Sequence, residues 1–190
     1  MEDLALEKIA SYAAANNTAA VTALVDMLNY GAAVQVAFSH NATLLPNTKL
    51  GDYTGTTATP EFNAENSITG TGTLSVASNS ISMQAKVEIQ LLIMGKIDGY
   101  TVSAKVGGAA APVVVDTEKY AAYNWTLVKV AVAADKMRQT YTISVNDANG
   151  TPVTPVYNVS VEAYGKTQLE GAKADVVIAM MRYGDSVAAL

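Results

Sequence analysis

The chain has 190 residues, of which 50% are hydrophobic and 15% charged; it carries a net charge of -5 and no cysteine. That balance excludes disorder as the main state, and the acidic excess speaks against nucleic acid and against an anionic membrane surface as partners. Without cysteine there is no thiol catalysis and no cysteine-ligated zinc or iron site.

A chain of this length folds as one domain, or one with an appendage, and buries roughly 70% of its unfolded surface without disulfide or metal. The opening MEDLALEKIA is acidic and lacks a basic n-region and an apolar core, so no signal peptide is expected within the chain. If the protein is exported, its signal is expected upstream. Leu190 stops inside a helical pattern without a cap. No apolar run reaches the roughly 18 residues that span a bilayer.

The first element is helical. Val21, Leu24, Val25, Leu28, Ala32 and Val36 recur at three- and four-residue steps, with Asn17 or Thr18 as N-cap. Asn16-Asn17 breaks the pattern, which predicts two helices over about 4–15 and 18–38. Ser39 to Thr73 is rich in Gly, Thr and Pro and reads as a connection; at roughly 30 residues it is long enough to pack along a surface or hide a short strand.

From Leu74 the period becomes two. Val87, Ile89, Leu91 and Ile93 alternate with Lys86, Glu88 and Gln90, and Tyr100, Val102, Ala104 and Val106 alternate with Thr101, Ser103 and Lys105. Trp125–Val132, Tyr141-Ile143-Val145 and Tyr157-Val159-Val161 continue the series, with turns at Asp98-Gly99, Gly107-Gly108 and Asn149-Gly150. Strands at this spacing with no helix between them predict an antiparallel sandwich. After Glu162 the helical period returns, with Val176, Val177, Met180, Gly184 and Val187 on one stripe. The predicted division is a helical segment over 1–40, a linker over 41–73, an Ig-like β-sandwich of about seven strands over 74–163 and a C-terminal helix over 164–190. The fold class is α+β, mainly β, with helices from both ends packed on the sandwich.

The two ends repeat one another. Met27–Ala37 laid over Met180–Leu190 pairs Met27 with Met180, Tyr30 with Tyr183, Gly31 with Gly184 and Val34 with Val187. Ile9–Tyr12 pairs with Val161–Tyr164 after a one-residue gap. This is the pattern of a tandem array cut out of register. An interior glycine costs a helix roughly 1 kcal/mol against alanine, so its presence in both copies predicts a seat where each helix approaches a neighbour closely.

Leu28–Gln35 (LNYGAAVQ) and Tyr157–Tyr164 (YNVSVEAY) resemble a module repeated in large cell-surface and secreted proteins of anaerobic Gram-positive gut bacteria, in which Ig-like strands precede a Tyr-Gly-Ala-Ala-type helix. TYTISV and LLPN fit the same pattern, whereas 74–132 matches it only loosely, and Arg182 and Asp185-Ser186 depart from it. The resemblance implies an extracellular or cell-surface location and a repeat-array or accessory role. It brings no catalytic residues to carry over. The composition, rich in Ala, Thr, Asn, Gly and Tyr and poor in Lys and Arg, points the same way.

Candidate chemistry is sparse. The single histidine, His40, makes neither a triad nor a histidine metal site unaided. Asp147-Ala148-Asn149-Gly150 begins like a calcium loop but lacks the bidentate acid at its end, so it reads as a hairpin turn. Asp116, Glu118 and Asp135 offer the carboxylates of a glycosidase, yet nothing in their spacing selects them. Gly70-x-Gly72 and Gly107-Gly108 lack the strand-loop-helix setting of a phosphate site. The sequons at Asn16, Asn41, Asn124 and Asn158 are ordinary for an Asn/Thr-rich chain.

The aromatic residues are the feature that points to binding, because flat rings grip sugars and protein partners at low entropic cost. Tyr100, Tyr141 and Tyr157 lie in phase with the apolar residues of their strands and are expected in the core. Tyr53, Tyr120 and Tyr123 lie in loops and are the candidate ligand-binding residues. The expectation is therefore a non-enzymatic structural or adhesion module with no catalytic residue, cofactor or metal. Its expected partner is a protein or glycan at the cell surface, with neither nucleic acid nor membrane insertion. The alternative is a carbohydrate-binding accessory domain of a larger secreted enzyme.

Overall fold

The computed structural model describes residues 2–38, 50–83 and 86–190. The chain divides into two compact units. One comprises the described residues of Met1–Phe62 with Ala134–Met137 and Gly165–Leu190; the other comprises Asn63–Ala133 and Arg138–Tyr164.

Among its described residues the second unit holds nine strands, all paired antiparallel, as the alternation predicts: β1 (Ser67–Thr69), β2 (Ser75–Met83), β3 (Val87–Met94), β4 (Thr101–Val106), β5 (Ala109–Ala110), β6 (Val113–Asp116), β7 (Thr126–Ala131), β8 (Tyr141–Asn146) and β9 (Val156–Val159). They form one sheet of order β1-β9-β8-β4-β5 and another of order β2-β3-β7-β6. After β1 the chain lays down consecutive strand pairs alternately in the two sheets, and the β3–β7 and β4–β8 pairings bind these pairs together. The period-two pattern sorts the residues: Val87, Ile89, Leu91 and Ile93 of β3 are buried, as are Val128 and Val130 of β7 and Tyr141, Ile143 and Val145 of β8. Tyr157 joins them in the core, but Tyr100, just ahead of β4, is 37% exposed and does not.

Two boundaries differ from the expected ones. β1 lies inside the segment read as a linker, an exposed three-residue strand on the edge beside β9. The alternation also carries the last strand on to Val161, whereas β9 ends at Val159 and helix α3 spans Val161–Lys166. Ser160 explains the switch: its Oγ accepts the Ala163 amide at 3.0 Å, an N-cap bond that favours a helix start over a further strand residue. Glu162, 5% exposed, then accepts the Asn63 and Ala64 amides at 2.7 and 3.1 Å and faces Arg138 at 3.3 Å. That anchors an irregular stretch of backbone, whose donors need partners.

The first unit is helical. Helix α1 (Glu2–Ala14) and helix α2 (Thr18–Ala37) meet at Asn16, whose backbone is left-handed at φ 55°. Asn17 caps α2 by accepting the Ala20 amide at 3.1 Å. Ile9, Val21, Val25 and Leu50 form a core cluster, flanked by Leu6, Leu24, Leu28 and Tyr53. Asp26 is buried on α2 and holds Thr56 twice, accepting its amide at 2.8 Å and its hydroxyl at 2.7 Å. By length and composition alone α2 is long and apolar enough to cross a membrane, although Asp26, Asn29 and Gln35 interrupt its apolar run.

Helix α4 (Ala174–Ala188) packs along α2, and the repeated residues meet there. Tyr30 and Tyr183 stack on one another, ring centroids 6.3 Å apart and planes inclined by 15°. Such a pair contributes about 0.5–1.5 kcal/mol beyond its buried area. The other repeated positions are not equivalent. Met180 is fully buried while Met27 is only half-buried. A β-carbon on Gly184 would stand 3.0 Å from both the Ala134 carbonyl and the Met137 sulfur, whereas one on Gly31 meets nothing within 4 Å among the described residues. The close-approach seat expected of both glycines belongs to Gly184 alone.

Gly31→Ala is therefore expected to stabilise the protein by up to about 1 kcal/mol in urea unfolding, through helix propensity, and Gly184→Ala to destabilise it; equal effects would contradict the assignment. Burial, and then the neighbouring Tyr183, push the Tyr30 hydroxyl from 10.0 to about 12. Because the folded value lies above the unfolded one, stability is complete below pH 10 and falls as the pH rises towards 12. Tyr30→Phe should flatten that alkaline slope in denaturation curves.

Candidate functional site

The register of β3 against β7 sets Ile93 opposite Thr126, so the chain leaving β3 and the chain entering β7 lie at the same end of one sheet. Thr126 is fully buried, and its hydroxyl donates to the Gly95 carbonyl at 2.9 Å, tying the two loops together. The loop before β7 is further fixed by Asp116 at the end of β6. One carboxylate oxygen accepts the Glu118 and Lys119 amides at 3.2 and 3.0 Å, and the other takes the Lys129 ammonium at 2.7 Å. The loop then makes a short 3-10 turn over Ala121–Tyr123 and reverses at Asn124 in a left-handed conformation, φ 56°. This geometry turns Trp125 into place.

Between these loops lies a cleft of about 210 Å³, lined by Lys96, Asp98, Thr117, Glu118, Asn124 and Trp125. Tyr123 is 69% exposed, and its ring leans on Trp125 at 5.6 Å with a tilt of 37°. An open aromatic pair thus stands beside a polar hollow containing two carboxylates and one ammonium. No ion pair among the described residues occupies Asp98, Glu118 or Lys96. These groups remain available to accept and donate hydrogen bonds, and the indole supplies an apolar wall.

The candidate tyrosines fall in different settings. Tyr123 is the exposed member of the aromatic pair. Tyr120 is half-buried on the same loop, with the Lys119 ammonium 5.6 Å from its ring centre, and does not line the cleft. Tyr53 belongs to the helical unit, where it lines a wide hollow of about 430 Å³ together with Val25, Asn29, Thr56 and Arg182. Arg182 donates to the Thr57 and Ala58 carbonyls at 2.8 and 2.9 Å, so its guanidinium already holds that loop.

Of the three acids weighed for catalysis, Asp116 is committed to Lys129, Asp135 pairs with Lys136 at 3.1 Å, and Glu118 alone faces the cleft. Asp147 accepts the Asn149 and Thr151 amides, both at 2.9 Å, which makes its segment the turn of the β8–β9 connection. Gly107 and Gly108, at φ 55° and 82°, form the turn between β4 and β5. Among the described residues no three acidic or histidine side chains gather as a metal site. His40 and Asn41 lie outside the described residues.

Sequence reasoning missed Lys96, Asp98, Thr117 and Asn124 as site residues. Asp98 reads only as a turn, Asn124 only as a sequon and Trp125 as the start of a strand. The usable signal is a tryptophan directly after a turn and directly before a buried strand. In class the protein is α+β and mainly β, two antiparallel sheets accompanied by helices. Compared with known proteins, it matches no family model and no curated relative.

The Lys129 bond, followed by the backbone amides, holds the Asp116 carboxyl down from 3.8 to about 2, and the same contact raises Lys129. With the folded value below the unfolded one, this pair contributes stability above pH 3.8 that is lost as the pH falls towards 2. Asp116→Asn should remove that part of the acid slope; parallel curves for the variant and the native chain would show that the anchor contributes nothing.

Proposed function

We propose that this chain is a non-enzymatic adhesion and spacer module of a bacterial cell-surface or secreted protein, engaging its partner through the cleft beside Trp125. One observation carries the reading: an aromatic pair, exposed Tyr123 on half-buried Trp125, flanks a polar cleft on loops fixed by a paired sheet. Binding residues on loops held by a rigid scaffold are a common way for β-sandwich modules to recognise ligands. Aromatic rings supply contact area there without much loss of rotamer freedom. The alternation of strand pairs between two sheets supports an Ig-like module of the repeated kind that the YNVSVEAY and LNYGAAVQ segments resemble. The stacked Tyr30 and Tyr183 are consistent with two related helical segments meeting in one chain.

A second reading, a carbohydrate-binding accessory domain of a larger secreted enzyme, uses the same cleft and is favoured by its small polar hollow against an indole. A glycoside hydrolase encoded in the same gene would favour it; further copies of the module or a sorting signal would favour the spacer.

A glycan array run beside a pull-down with host matrix proteins tests both readings. Trp125→Ala and Tyr123→Ala should each weaken capture at least tenfold while leaving the unfolding midpoint of Tyr123→Ala unchanged, because that ring is largely in solvent. Capture indifferent to both substitutions would remove the cleft from the function.

A further inference from the structure

The cleft has a definite size and charge, and together these select among ligands. Its volume is about 210 Å³, and it opens to solvent between the two loops. The indole of Trp125 offers a flat apolar wall of the kind that stacks against the C–H face of a pyranose. Around it stand acceptors and donors suited to hydroxyl groups: the Asp98 and Glu118 carboxylates, the Lys96 ammonium, the Asn124 amide and the Thr117 hydroxyl. Two carboxylates against one ammonium leave the lining with a net negative charge, and the molecule as a whole carries -5. A sugar bearing its own carboxylate meets like charge at short range, while a hydroxyl-only ring meets acceptors for its protons.

We infer that the Trp125 cleft takes an uncharged pyranose residue of a glycan and discriminates against sugar acids. This rests on the reading of the cleft as a ligand site and adds the class of ligand. Charge supplies the discrimination and ring stacking the affinity, so the two are separable: loss of Trp125 abolishes binding to every sugar, whereas neutralising the acids changes only the ranking.

Trp125 is the single tryptophan of the chain, so its fluorescence reports the cleft directly. The full chain is titrated with the methyl glycosides of glucose, galactose and N-acetylglucosamine, and with glucuronic acid, at low and high salt. The expected result is saturable change with at least one neutral glycoside, nearly independent of salt, and at least tenfold weaker response to glucuronic acid. In Asp98→Asn/Glu118→Gln the glucuronic acid deficit should shrink to less than threefold while neutral binding changes little. Glucuronic acid binding as well as the neutral glycosides overturns the inference yet leaves the cleft a sugar site. A deficit unaltered in the double variant overturns the electrostatic selection in the same way. If none of these sugars perturbs Trp125, the inference fails; if glycan-array capture is also indifferent to Trp125→Ala, the cleft reading fails with it.

Discussion

The antiparallel pairing of β3 with β7 is the contact on which the sheet unit and its cleft both depend. It joins two strand pairs, buries Ile89, Leu91 and Ile93 beside Val128 and Val130, and fixes which loop residues face each other at the end of the sheet. A slip of one residue would turn every buried side chain to the opposite face. It would also separate Gly95 from Thr126 and part the two walls of the cleft. Core packing and site geometry are therefore set by one register, and the fully buried Thr126 belongs to both.

Where the chain is irregular, side chains take over the work of the ladder. Asp26 holds the amide and hydroxyl of Thr56, Arg182 holds the Thr57 and Ala58 carbonyls, and, in the sheet unit, Glu162 holds the Asn63 and Ala64 amides while Asn66 accepts the Ser160 amide. Two of these anchors, Asp26 and Glu162, are buried carboxylates. Removing either leaves desolvated donors behind, at a cost of about 1–3 kcal/mol. Segments without regular secondary structure thus keep defined backbone paths.

The strands and long helices were legible because burial imposes a period. Where Val87, Ile89 and Leu91 must all face inward, the residues between them, Glu88 and Gln90, are polar, and the alternation survives in the sequence; α4 shows its stripe for the same reason. β1 left no such trace, since Ser67, Ile68 and Thr69 are all exposed and only their backbones pair. α3 was obscured because Tyr157, Val159 and Val161 are all buried and keep the strand period through the helix start, while the deciding bond, Ser160 to Ala163, is local and polar. The cleft was least legible of all. Asp98 and Trp125 are brought together by pairing across the sheet, and no spacing along the chain encodes that. The repeat is a middle case: identity in sequence located the Tyr30–Tyr183 contact, yet the paired glycines occupy different surroundings, because only one of them has a turn of chain against it.

The alternation of strand pairs between two sheets bears on how the chain reaches its fold. β2 pairs with β3, β4 with β5, β6 with β7 and β8 with β9, so every one of these ladders closes between neighbours in sequence. Such pairs form on the order of microseconds. The slow part of assembly is left to three distant pairings, β3 with β7, β4 with β8 and β1 with β9. Loop-closure entropy grows only with the logarithm of length. Once the first of the two inner pairings has formed, the second joins ends that are already near. The architecture thus concentrates the entropic barrier of a β-rich fold in a single encounter between strand pairs that are already formed.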